Sequence, residues 1–163
     1  MENFSHAPPK LLGPSDKSFI LKHLLALGPD DRYGRFAATL GDAAIASYVD
    51  RIDFARDLGF GLWDSADELS GFIHLTLYHH KAELAASVRL AARYQGIARR
   101  LFQAALAAGE MLRVRRVHLA TGHPAALRIA HSLAYRVQTS STMPRASILL
   151  PALEMRMERL LCG

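Results

Sequence analysis

Apolar and polar positions along this chain of 163 residues change period several times, and each change marks an element. Residues 1–17 are polar and Pro-rich, without an apolar period, and read as a flexible N-terminal leader. FILKHLLAL (19–27) is compatible with a short strand. Gly28-Pro29-Asp30-Asp31 then offers a turn, an N-cap and acidic first-turn residues for a helix through DRYGRFAATL. Gly41-Asp42 restarts the chain. Ala44, Ile45, Tyr48, Val49, Ile52 and Ala55 follow at helical spacing.

From about 59 the period falls to two. Ile73, Leu75 and Leu77 fall on one face, and Phe72, His74, Thr76 and Tyr78 on the other. Turn residues at 65–67 and 79–81 divide this stretch into a meander of strands at about 59–64, 69–78 and 82–90. Gly96 to Ala108 reads as a helix almost without breakers, Val114 to Thr121 as a strand, and Pro124 to about Leu133 as a helix with proline in its first turn. Arg136 to Leu150 holds one or two strands interrupted near Met143-Pro144, and ALEMRMERLLCG closes as an amphipathic tail over 152–163. One domain over 18–151 accommodates all of this. Interleaved helices and an antiparallel meander exclude an all-parallel sheet and a sandwich. They predict an α/β (mixed α+β) domain whose mixed sheet carries helices on both faces.

Composition narrows the class. Half the residues are hydrophobic and 21% are charged, which excludes a wholly disordered chain. Cys162 is the one cysteine, so neither a disulfide framework nor a Cys-rich zinc module can form. No apolar run reaches the roughly 18–20 residues of a membrane span, and the N-terminus lacks a hydrophobic signal core. A soluble cytoplasmic protein without a membrane partner is expected. The net charge of +5 makes an anionic partner worth considering. That charge is unevenly placed. Residues 28–68 hold nine acids and four arginines, whereas residues 89–116 hold seven arginines and Glu110 alone among acids. Two solvated faces of opposite sign would account for this; so would an anion on the basic segment and a cationic substrate near the acidic one.

The stretch SVRLAARYQGIARRLFQAAL (87–106) carries the chemistry. A strand ends near Leu90, a loop follows, and a helix begins around Gly96. A junction of this kind presents free backbone N–H groups reinforced by the helix dipole. Arg93, Arg99 and Arg100 stand at that positive helix end, where cations are unfavourable unless an anion sits among them. Gly96 and Ala98 leave the backbone open to a phosphate. A diphosphate site accounts for these features; an ordinary loop with exposed arginines is the alternative. The usual nucleotide and hydrolase motifs GxGxxG, GxxxxGK[ST] and GxSxG are absent.

Arg93-Tyr94-Gln95-Gly96-Ile97-Ala98 resembles the [RQ]xxGx[GA] acyl-CoA signature of the GNAT superfamily of N-acetyltransferases. The preceding strand AELAASV (82–88) and the following strand–helix block RVHLATGHPAALRIAHSLAYRV (116–137) are similar to the family's flanking segments. The element order over roughly 20–150 agrees as well. The resemblance implies a GNAT-like, mostly antiparallel sheet of six to seven strands. It implies acetyl-CoA as co-substrate in a cleft between splayed strands. Backbone N–H groups of residues 93–99 would take the pyrophosphate, the strand at Val88 to Leu90 the pantetheine arm, and His123 would stand where the family has an Asn. It implies direct attack of a small-molecule or peptide amine on the thioester, with no acyl-enzyme. An acyl-CoA sensor that turns nothing over is the alternative.

An amine protonated at neutral pH needs a base, and Glu83 is the candidate. It lies on the strand feeding the motif, where related transferases carry a catalytic Glu, and half-burial there would raise its pKa. The other reading is a solvated residue paired with Lys81 or an arginine. His74, one strand earlier, either faces the cleft or is a satisfied structural histidine. The family's Tyr general acid aligns with Ala130, followed by His131 and Ser132, and its Gly-Phe becomes Ala134-Tyr135. The general acid is therefore unassigned. Adjacent His79 and His80 would point to opposite faces, so no metal site is expected. The arginines lack an aromatic stacking platform or a reader motif, so no nucleic-acid partner is expected. Leu153, Met157, Leu160 and Leu161 fit docking onto the domain or a homodimer contact.

Overall fold

The computed structural model describes residues 7–140 and 145–152. Strand β1 (Lys10–Leu11) leads into helices α1 (Lys17–Leu25), α2 (Pro29–Phe36) and α3 (Asp42–Asp50), then β2 (Leu58–Trp63), β3 (Leu69–Tyr78) and β4 (Lys81–Val88). Helix α4 (Ile97–Met111), β5 (Arg116–Leu119), α5 (Pro124–Ser132), β6 (Arg136–Thr139) and β7 (Ala146–Leu149) complete it. The seven strands form one sheet in the order β1-β2-β3-β4-β5-β7-β6. Every neighbouring pair is antiparallel except β4 and β5.

Alternation in the sheet sorts the core into two layers. Ile73 and Leu75 of β3, Leu84 of β4, Val117 of β5 and Ile148 of β7 pack with Leu101, Phe102, Ala105 and Leu106 of α4. On the other face Phe72 meets Ile20 and Leu24 of α1 and Ile45 and Val49 of α3. Gly71 permits the first packing. A Cβ there would stand 2.6 Å from Ile97 Cγ2 and 2.8 Å from Leu101 Cδ1, so the first turn of α4 lies almost on the β3 backbone. Gly71→Val is expected to push α4 outward and cost about 1–3 kcal/mol, read as a lower urea midpoint. An unchanged midpoint would show that α4 can shift freely.

The expected mixed sheet with helices on both faces is present, with seven strands. One element differs in type. Residues 19–27 are not a strand: α1 spans Lys17–Leu25. Its buried residues Ile20, His23 and Leu24 recur at i, i+3 and i+4, a helical stripe that the run of leucines conceals. Within the span read as a leader, Lys10 and Leu11 pair with Gly61 and Phe60 of β2. The meander lies where its turns put it, except that β4 stops at Val88 and Leu90 belongs to a 3-10 turn, Leu90–Ala92. The interruption near Met143-Pro144 and the tail from 153, with Cys162, lie outside the described residues.

Candidate active site

Strands β4 and β5 run in parallel register from Lys81↔Arg116 to Leu84↔Leu119, and then β5 ends. Strand β4 continues to Val88 on β3 alone. From Ala85 to Val88 its other edge therefore has no strand partner among the described residues, and a cleft of about 650 Å³ opens there. Its walls come from α2, the end of β4, the loop into α4, the end of β5 and α5. An extended polar chain laid along such an edge can complete its hydrogen bonds as an added strand would.

The loop into α4 contains two left-handed residues, Tyr94 (φ 63°) and Gly96 (φ 76°). They bring the helix start to the cleft, where Gly96, Ile97, Ala98 and Arg99 form part of the wall. Arg100 N–H is the first to bond back, to the Gly96 carbonyl, so the N–H groups of Ile97, Ala98 and Arg99 have no intrahelical acceptor. The dipole of this 15-residue helix adds positive potential at the same place. A Cβ placed on Gly96 would meet no atom within 4 Å, so the approach to the backbone is open.

The sequence-selected residues fall in three groups. Val88, Arg93, Tyr94, Gly96, Ile97, Ala98, Arg99 and His123 all line the cleft. Ile97 does so while its side chain is buried against β3. His123 caps α5, its Nδ1 accepting from Ala125 N–H at 3.2 Å. Gln95 and Leu90 are exposed and outside the cleft lining. Glu83 is also outside the lining and, contrary to the expected half-burial, exposed, because its place in β4 falls on the face that no helix covers there; it is in register with Thr76 on one side and His118 on the other. It stands one residue before β4 and β5 part, on the sheet face of Ala85 and Ser87.

Arg93 is not free. Its Nη2 lies 2.5 Å from Asp31 Oδ1 of α2, a bridge across the cleft from loop to helix. Arg99 Nε donates to Ser132 Oγ at 3.3 Å. Ser132 and Arg128 of α5 line the cleft as well, whereas Ala130 is fully buried in the core. The Ala134-Tyr135 departure has a local cause. Tyr135 Oη donates to Glu110 Oε1 at 2.5 Å, giving that buried carboxyl a partner that a Phe could not provide.

Sequence reading missed a buried polar network on the face of β4 turned away from α4. His23 Nδ1–H donates to the Leu69 carbonyl at 2.7 Å, and its Nε2 accepts from Ser87 Oγ at 2.9 Å. Ser87 Oγ accepts from Arg35 Nη1 at 3.1 Å. Arg35 Nη2 lies 3.4 Å from Tyr48 Oη, which donates to His74 Nδ1 at 2.5 Å; His74 Nε2–H donates to Asp57 Oδ2 at 3.1 Å. Burial pushes His23 down to about 4, so it is neutral in this role, and burial also lowers His74. His74 is thus a satisfied structural histidine, outside the cleft lining. Asp30, Asp31 and Arg35 reach the cleft from α2, and no motif marks them. The i, i+4 spacing of Asp31 and Arg35 just after Pro29 marks a shared helix face, although the two do not pair with each other.

Among the described residues no group of three His, Cys, Asp or Glu side chains could hold a metal, and no helix is long and apolar enough to cross a membrane.

The fold superposes on those of solved acetyltransferases. The GNAT domain of S. lividans PAT superposes with a TM-score of 0.68 at 15% identity, covering 86% of this chain and 87% of that one. A GNAT superfamily phosphinothricin acetyltransferase from Sinorhizobium meliloti, in complex with AcCoA, gives 0.67 at 13% identity over 91% and 92%. Spermidine N-acetyltransferase from Vibrio cholerae, in complex with CoA and spermine, gives 0.63 at 19% identity over 87% and 95%. The chain has the GNAT fold. No protein-family model and no curated protein sequence matches it.

Proposed function

We propose that this protein is an acyl-CoA-dependent N-acetyltransferase that moves an acetyl group from acetyl-CoA to a primary amine. The observation that carries the reading is the cleft where β4 leaves β5 and the open, Gly96-headed turn of α4 forms one wall. The unpaired edge at Ala85 to Val88 would take the pantetheine arm. The backbone of residues 93–99 would take the pyrophosphate, with Arg93 exchanging Asp31 for phosphate and His123 facing it from α5. Acetyl-CoA supplies an activated thioester carbonyl, which an amine nitrogen attacks directly. The one thiol of the chain, Cys162, is given no role.

Glu83 is the proposed base. Its position beside the parting strands suits removal of the ammonium proton through one water, which an exposed carboxylate permits. Glu83→Gln is expected to lower kcat at least about tenfold, within the usual range for loss of a general base, and to leave acetyl-CoA affinity unchanged. Equal kcat in the variant would remove Glu83 from the mechanism.

One observation favours a second reading, an acyl-CoA sensor without turnover. The position aligned with the family's Tyr acid is Ala130, buried in the core. The hydroxyl nearest along α5, Ser132, donates to the Ile129 carbonyl at 2.7 Å and accepts from Arg99. Thiol release from acetyl-CoA over a panel of amines separates the two: release supports the enzyme, and tight binding without release supports the sensor.

A further inference from the structure

Arg35 is the most anomalous charge among the described residues. It is 2% exposed, at the end of α2. Its guanidinium lies 4.6 Å from the Phe72 ring centroid and 5.5 Å from that of Phe36. Its three hydrogen bonds run to the Phe72 carbonyl, Ser87 Oγ and Tyr48 Oη, all neutral acceptors. Its Nε has no partner at all. No carboxylate among the described residues lies within ion-pair distance of it. The acid at the end of its network, Asp57, is separated from it by Tyr48 and His74 and bonded to His74.

Arginine cannot escape burial by losing its proton. A buried guanidinium without a counter-ion is costly, and cation–π contact with two rings offsets only part of that cost. The same side chain lines the cleft beside Ala85 and Ser87, on the sheet face opposite α4. Its planar fork matches a carboxylate.

Resting on the acetyltransferase reading, we infer that Arg35 is the anion-recognising group of the acceptor half of the cleft, and that the acceptor is an amino carboxylic acid. The charges nearby restrict the class further. Asp30 and Asp31 lie on the same wall one turn earlier, and Asp31, bridged to Arg93 in this structure, is released when Arg93 turns to the phosphate. A polyanion meets Asp30 at that wall. A polyamine leaves Arg35 uncompensated. A zwitterion, with one ammonium and one carboxylate, suits both signs. Arg35 is thus a specificity-determining residue, a buried guanidinium at the cleft wall with no carboxylate of its own.

The test uses the native protein and matched acceptors: each of the common amino acids beside its carboxamide and its decarboxylated amine, assayed for thiol release from acetyl-CoA. The expected result is at least one amino acid with kcat/KM thirtyfold or more above both its analogues, carried mainly by KM. Arg35→Lys should retain part of that preference and Arg35→Gln none, with acetyl-CoA affinity unchanged in both by calorimetry. Equal use of the acid and its amide would overturn the proposal while leaving the acetyltransferase intact. So would loss of acetyl-CoA affinity in folded Arg35→Gln, which would assign the guanidinium to the co-substrate. Should the native protein bind no acetyl-CoA, the acetyltransferase reading falls instead. A thermal-shift series with the same compounds alone then decides the anion site: stabilisation by the acid but not its amide supports it, and no stabilisation by any compound overturns it.

Discussion

Gly96→Glu should fold normally and bind acetyl-CoA at least about a hundredfold more weakly, a loss of roughly 2.7 kcal/mol. The fold should survive because the substituted Cβ meets no atom within 4 Å. The φ of 76° at this position adds strain of about 1–2 kcal/mol for a residue with a Cβ, which lowers stability without removing the helix. Binding suffers for two further reasons. The carboxylate would stand at the mouth of the cleft, against the same N–H groups of Ile97, Ala98 and Arg99 that would hold a diphosphate. It would also compete there as an intramolecular anion. Gly96→Ala separates the effects, since it brings the strain and part of the crowding but no charge, and a loss of only a few-fold is expected. Arg93→Ala is a weaker probe, because it removes a cation and frees Asp31 at once. Calorimetric titration of the three variants beside the native protein measures the order. Native-like affinity in Gly96→Glu would move the diphosphate away from residues 93–99, and both the transferase and the sensor would lose their anchor.

What the sequence showed and what it hid divide along physical lines. The meander was legible because Ile73, Leu75 and Leu77 alternate with Phe72, His74 and Thr76, and a sheet covered on both faces by different partners preserves that alternation. The helix start at Gly96 was legible because a glycine, an adjacent strand end and clustered arginines are local features. Helix α1 was not. In FILKHLLAL nearly every position is apolar, so no period stands out, and only packing reveals that Ile20, His23 and Leu24 share a face. The buried network was hidden for a related reason. Its members come from α1, α2, α3, β3, β4 and the stretch before β2, and no spacing along the chain links His23, Arg35, Tyr48, Asp57, His74 and Ser87. Reading the acids of 28–68 as one solvated face also concealed roles that differ residue by residue. Asp57 holds His74, Asp31 holds Arg93, and Glu68 bridges Lys22 and Arg89. Leu90 failed as a strand residue because the chain turns immediately after Val88, where Arg89 N–H closes onto the Ser70 carbonyl at 2.8 Å. That turn lets the strand edge stop and the helix end begin within one cleft.

The same network makes stability fall steeply between pH 6.5 and 4. His23 is neutral in the folded protein because burial disfavours its charged form, outweighing the Leu69 carbonyl that favours it, and it titrates at about 4 rather than 6.5. In the unfolded chain it titrates near the ordinary value of about 6.5. Between these two values the unfolded state binds more protons, so unfolding becomes easier as pH drops, and below about 4 the effect is complete. A displacement of that size corresponds to about 3 kcal/mol, a large share of the roughly 5–15 kcal/mol that holds a typical domain together. His74, lowered first by burial, acts in the same direction. Glu68 acts lower on the scale. Hydrogen bonds from Lys22 and Arg89 hold it at about 2, so its stabilisation is present above the ordinary carboxylate range and disappears as pH falls toward 2. Urea denaturation at half-unit steps from pH 7.5 to 4 should therefore show a falling free energy, with most of the loss below 6.5. His23→Gln isolates the cause. Its amide can donate to the Leu69 carbonyl and accept from Ser87, yet it cannot titrate. The variant should be somewhat less stable at pH 7.5 and markedly flatter toward pH 4, with the two curves converging or crossing. Parallel curves would show that the acid sensitivity resides elsewhere, with His74 the next group to test.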